Sequence, residues 1–114
     1  MLHQMNLHAS PFDTIARGVK TIELRLYDEK RRRISVGDEI VFTHSGDAAR
    51  TLRCRVIALH IFSSFEELYN VLPLLKCGYT EADIHTASPT DMERYYTKEQ
   101  QNSCGVVGIE LELI

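Results

Sequence analysis

Between Thr21 and Leu26 apolar and polar residues alternate one for one, with Ile22, Leu24 and Leu26 set against Thr21, Glu23 and Arg25. A period of two marks a strand with one packed face and one polar face, because successive side chains leave a pleated backbone on opposite sides. The pattern returns from Thr51 to Phe62, with Leu52, Cys54, Val56 and Ala58 on one side. It returns again from Cys104 to Ile114, where Val107, Ile109, Leu111 and Leu113 oppose Val106, Gly108, Glu110 and Glu112. Val36 to Phe42 reads as a turn at Gly37-Asp38 followed by a short buried strand. Met1 to Asn6 reads as an opening strand anchored by Leu2 and Met5. Strands therefore carry the frame of this chain.

Helices fill the intervals. Ser10 is the expected N-cap of a helix of about two turns, with Pro11 at its first position, Asp13 completing an acidic capping box and Gly18 as its stop. Asp28 to Arg33 is a polar break and His44 to Asp47 a loop. Beyond Phe62 the reading is helical. Ser63 or Ser64 caps Phe65 to Tyr69, Thr80 caps an acidic start at Glu81 and Asp83, and Ser88-Pro89 opens a third short helix running to Tyr95. Thr97 to Gln101 adds a turn. The order β-α-β-β-β-α-α-α-β, with short connections that favour antiparallel pairing, predicts an α+β fold that is mainly β. We expect a small barrel or strongly curled sheet of about five to six strands with short helices at its side. Residues 1–114 are expected to form a single domain.

Composition narrows the function classes. Apolar residues make up 44% and charged residues 25%, the balance of an ordinary globular chain, so disordered and fibrous classes are excluded. No apolar run nears the roughly 20 residues that cross a bilayer, and the N-terminus lacks the basic start and apolar stretch of a signal peptide. The expectation is a soluble cytoplasmic protein with no membrane partner. The three cysteines, Cys54, Cys77 and Cys104, form no CxxC pair and read as reduced thiols. His3, His8, His44, His60 and His85 show no metal-ligand spacing, and no phosphate-loop or dinucleotide fingerprint occurs, so neither metal nor cofactor is expected. Net charge is −3, but it is segregated. Residues 1–60 carry ten Lys/Arg against seven Asp/Glu, and residues 61–114 carry three against nine. A basic half remains open to a nucleic-acid partner that the total alone would disfavour.

The segment most suited to chemistry is Arg17-Gly18-Val19-Lys20-Thr21-Ile22-Glu23-Leu24-Arg25. Glu23 and Arg25, two apart on a strand, project from one face. Lys20 has the wrong parity and joins them only if the chain bends just after Gly18, which a glycine makes easy. A solvated edge with a weak ion pair is the plainer reading of the same pattern. Gly18-x-Lys20-x-x-Glu23-x-Arg25 resembles the G-x-K-x-x-E-x-R signature of the ASCH domain, a compact family with a PUA-like β-barrel. The Gly37-Asp38-Glu39-Ile40 turn and the ending Tyr95-Tyr96-Thr97-Lys98-Glu99 … Gly105-Val106-Val107-Gly108-Ile109-Glu110 are similar to the family too, in the family's order.

The resemblance, to small single-domain bacterial members, implies a role with RNA or a nucleotide-like molecule. The ligand would lie in a cleft beside the barrel, floored by Lys20, Glu23 and Arg25, with Thr21, Ser45 and the Tyr95/Tyr96 segment at its rim. Lys20 and Arg25 suit phosphate or an acceptor edge, while Glu23 accepts an exocyclic amine and orients Arg25. Tyr27, Tyr95 and Tyr96 are candidates for stacking on an unpaired base or for packing in the core. Some small members resemble this chain and hydrolyse N4-acetylcytidine with the signature lysine, a threonine and a separate glutamate. Lys20 matches that lysine, Glu23 stands where their threonine stands, and Thr21 is nearby. An amidohydrolase using Lys20 and Glu23 is thus the alternative, as is a ribonuclease. Outside the signature, Lys30-Arg31-Arg32-Arg33 is a basic run suited to phosphate contact or simply to solvent. Arg50, Arg53 and Arg55 alternate along a strand and either extend that basic surface or guard an edge.

Overall fold

The computed structural model describes residues 1–114, as five strands with helical segments between them. The strands are β1 (Leu2–Leu7), β2 (Ile22–Leu26), β3 (Glu39–His44), β4 (Asp47–Phe62) and β5 (Val106–Leu113). The α-helices are α1 (Ala9–Ala16), α2 (Glu29–Arg32), α3 (Phe65–Val71) and α4 (Lys98–Cys104). Three 3-10 turns, at Leu74–Lys76, Ile84–Thr86 and Pro89–Arg94, occupy the stretch between α3 and α4.

The sheet runs β1-β3-β4-β5-β2, parallel between β1 and β3 and antiparallel elsewhere. Its curl follows from β4. At about 3.3 Å per residue, a straight strand of that length would span about 50 Å. The whole molecule extends only 33 Å along its longest axis, so β4 must bend. A bulge at Ile57, between Val56 and Ala58, accompanies the bend, and β4 changes partner near it from β3 to β5. The result is a half-barrel. β1 and β2 end as the two free edges, facing each other across an opening.

Two cores follow from the curl. Inside it, Met5, Ile40, Phe42, Val56 and Ile109 pack with Phe12 and Ile15 of α1. On the outer face, Ile22, Leu24, Leu26 and Val106 are covered by Phe65 and Leu68 of α3 and by Leu72 at its C-terminal end. β5 is buried on both faces as far as Ile109, because it lies between these cores.

Several local expectations need correction. Ser10 is not the N-cap of α1; His8 holds that position without a side-chain cap, and Asp13 pairs with Arg17 at 3.1 Å. Pro11 is tolerated because the first intrahelical donor is the Phe12 N–H, so its missing N–H breaks nothing. The polar break at Asp28 folds into α2, capped by the Asp28 carboxylate on the Arg31 N–H at 3.1 Å. Thr80 caps no helix; with Asp83 it closes a turn. The predicted His44–Asp47 loop shrinks to a Ser45-Gly46 turn, so β4 begins at Asp47. Cys104 closes α4, whose capping box of Thr97 and Gln100 extends the predicted turn. Ser64 caps α3 as the pattern indicated.

Candidate functional site

The polar face of β2 is not a solvent face. In the antiparallel register Glu23 lies opposite Ile109 and Arg25 opposite Val107, and directly paired residues share a side of the sheet. Glu23 and Arg25 therefore project to the inside of the curl, at the free edge of β2. Glu23 is only 5% exposed. A buried carboxylate there requires partners.

Lys20 and Arg25 are those partners. Lys20 Nζ stands 2.7 Å from Glu23 Oε1, and Arg25 Nε donates to Glu23 Oε2 at 2.8 Å. The parity problem at Lys20 is resolved by the bend after α1. Gly18 adopts φ 74, a left-handed conformation that favours glycine, and the Val19 and Lys20 N–H groups both donate to Thr14 O. Chain direction is thus reset before β2 begins, and Lys20 folds back over Glu23. Burial pushes the Glu23 pKa up, but the Lys20 and Arg25 charges and hydrogen bonds together outweigh it. The carboxyl is held below its ordinary range and stays ionised.

Arg25 has a second task. Its guanidinium donates from NH2 to the Asn6 carbonyl of β1 at 2.9 Å, tying β2 to β1 where no strand pairing joins them. The same opening leads into a cleft of about 760 Å³ bordered by Lys20, Glu23, Arg25, Asn6 and Ser45. Its other wall comes from the segment after α3: Cys77, Gly78, Tyr79, Asp91, Tyr95 and Tyr96. Gly78 lies against the lysine stem, where a Cβ would stand 3.5 Å from Lys20 Cδ. Tyr96 is half-buried and stacks on Phe65 with centroids 6.1 Å apart, whereas Tyr95 is 57% exposed. Burial raises the Tyr96 pKa and pushes the Cys77 thiol up to about 11, so Cys77 is a protonated wall residue.

Of the predicted site residues, Lys20, Glu23, Arg25, Ser45, Tyr95 and Tyr96 meet in this cleft. Thr21 does not line it; its N–H donates to Lys76 O and its carbonyl accepts from Leu111, which fixes the start of β2. Tyr27 is also elsewhere, packed on the inner core beneath the Arg32 guanidinium at 4.4 Å. The basic run lies on α2 and its C-cap Arg33, and none of its side chains lines the cleft. Arg31 pairs with Asp28 and Arg33 with Glu29, each at 2.9 Å, and Arg32 donates to Cys104 O, which leaves Lys30 without an ion pair. Arg53 and Arg55 pair with Glu39 and Glu112 on the outer sheet face. Sequence reasoning missed Thr14, Tyr69, Tyr79 and Asp91, which also border the cleft. Nothing in the local sequence around them points to a shared site, since the fold alone brings the two segments together. No three His, Cys, Asp or Glu side chains gather at one point to hold a metal, and no helix is long and apolar enough to cross a membrane.

A half-barrel with a buried Lys-Glu-Arg triad at its seam defines the class. The chain belongs to the ASCH domain family, whose profile matches residues 5–114. Among solved structures it is similar to hypothetical protein PH0355, with 33% identity, complete coverage of both chains and a TM-score of 0.82. It is also similar to protein PF0455 from Pyrococcus furiosus, with 32% identity, a TM-score of 0.73, and coverage of 100% of this chain and 98% of that one. No curated protein matches the chain.

Proposed function

We propose that this cleft binds RNA or a nucleotide-like ligand as one unpaired nucleotide or a short segment. The observation that supports this reading is the convergence of Lys20, Glu23 and Arg25 on a cleft flanked by tyrosines. Glu23 holds both cations in place, and the donors it leaves unused are available to a phosphate or carbonyl acceptor. Tyr95, the most exposed cleft tyrosine, offers a ring face to a base. A net charge of −3, and an α2 basic run whose three arginines are engaged, favour a pocket over tracking along a phosphate backbone.

Hydrolysis of a modified nucleoside at the same place would need a group that holds or moves a proton. Glu23 is kept ionised with each oxygen engaged by a cation, which suits an anchor better than an acid. The binding reading is therefore favoured. Titration of labelled single-stranded RNA at two salt concentrations tests it. Lys20→Ala and Arg25→Ala should each weaken binding at least about ten-fold, the loss of one charge-assisted contact. Undiminished affinity in both variants, or no affinity in the wild type, refutes it.

A further inference from the structure

The wall facing the triad carries a polar device of its own. The Tyr69 and Tyr79 hydroxyls lie 2.6 Å apart, and Tyr79 donates onward to Asp91 Oδ2 at 2.7 Å. The Ser88 N–H donates to the same oxygen at 3.1 Å. Tyr69, Tyr79 and Asp91 all border the cleft. They come from three separate stretches, namely α3, the turn after Leu74–Lys76 and the Pro89–Arg94 turn. Both fixed donors meet Oδ2, so the carboxylate is held in one orientation while Oδ1 accepts no hydrogen bond. A pure acceptor thus borders the same cleft as the cationic triad, with Arg94 on its own turn as the neighbouring cation.

We infer that Asp91, held by Tyr79 and Tyr69, is the specificity-determining residue of the cleft and selects a nucleobase that bears an exocyclic amino group. The base presents its acceptor atoms to Lys20 or Arg25 and its amino N–H to Asp91 Oδ1. Cytosine satisfies both walls. Uracil sets a carbonyl oxygen where cytosine has the amine, and that oxygen meets the carboxylate lone pairs with no proton between them. This assignment rests on the binding reading above and deepens it.

The test compares oligocytidylate with oligouridylate, two pyrimidine strands of the same length. Wild type should favour oligocytidylate by about ten-fold, the discrimination of one hydrogen bond to a charged group. Asp91→Asn supplies both a donor and an acceptor and should bring the two affinities within about two-fold of each other, less than one such bond. Tyr79→Phe removes the hydroxyl that orients Asp91 and should erode the preference in the same direction. Thermal melts of each variant check that the Ser88 turn survives. A wild type without preference, a preference that persists in both variants, or an equal loss for both strands in Asp91→Asn each overturns the assignment. Lys20→Ala separates the two readings. If it weakens both strands while no base preference exists, the cleft binds RNA and only the role given to Asp91 is wrong.

Discussion

Replacing Glu23 with glutamine tests the centre of the site. The substitution keeps shape and one carbonyl acceptor but removes the negative charge between two cations. The side chains of Lys20 and Arg25 are 11% and 15% exposed, so solvent replaces little of what is lost. Removing one partner of a buried pair costs about 3–5 kcal/mol, and the retained acceptor places Glu23→Gln near the lower end. At about 4 °C per kcal/mol for a chain of this size, melting should fall by about 12 °C at pH 7. The pH dependence supplies the sign. The folded pKa of Glu23 lies below its unfolded value, so its contribution is complete above the ordinary glutamate pKa, about 4.3. That contribution declines as pH falls below this value and is lost as pH passes through the folded pKa. Urea melts of wild type and variant should therefore converge in acid. Adding Lys20→Met to Glu23→Gln should cost less than the sum of the single changes, because it removes one of the stranded cations. A variant as stable as wild type at pH 7, or a gap that does not narrow in acid, refutes the argument.

Two further outcomes follow from the same geometry. Gly18→Ala meets no neighbouring atom within 4 Å, so its cost is the left-handed backbone alone, about 1 kcal/mol. RNA affinity should fall as well if the bend repositions Lys20, whereas unchanged stability and affinity would show that the bend does not depend on glycine. Alkylation of the native protein at pH 8 should modify Cys104 only. Cys54 and Cys77 are buried, and burial pushes each thiol up to about 11. Counting labels by mass spectrometry checks this, and early modification of Cys77 would mean that the cleft wall opens.

Much of the frame was readable because strand periodicity is local. Ile22, Leu24 and Leu26 lie on one face whatever packs there, and Ser64 caps α3 through an oxygen three residues from its donor. Ser10 misled because a cap depends on where the helix begins, and the hydrogen bond from Phe12 N to His8 O set the start two residues earlier. Thr21 misled differently. Adjacency to the signature suggested a role at the rim, but its backbone joins β2 to Lys76 and Leu111.

Alternation also identified the polar face of β2 without telling whether water or protein lies against it. That depended on the curl of β4 and the pairing of β2 with β5, which turn Glu23 and Arg25 inward at an unpaired edge. By itself, then, the sequence determined the strands, the family resemblance and the three charged residues, because spacing along one short segment encodes them. Only the tertiary structure decided that these charges are buried together, that Arg25 ties β2 to β1, and that Tyr79 and Asp91 complete the cleft. The cleft gathers side chains from segments far apart in the chain, from Asn6 on β1 to Asp91 and Tyr96. Such distances are set by how the sheet closes, which no local pattern records.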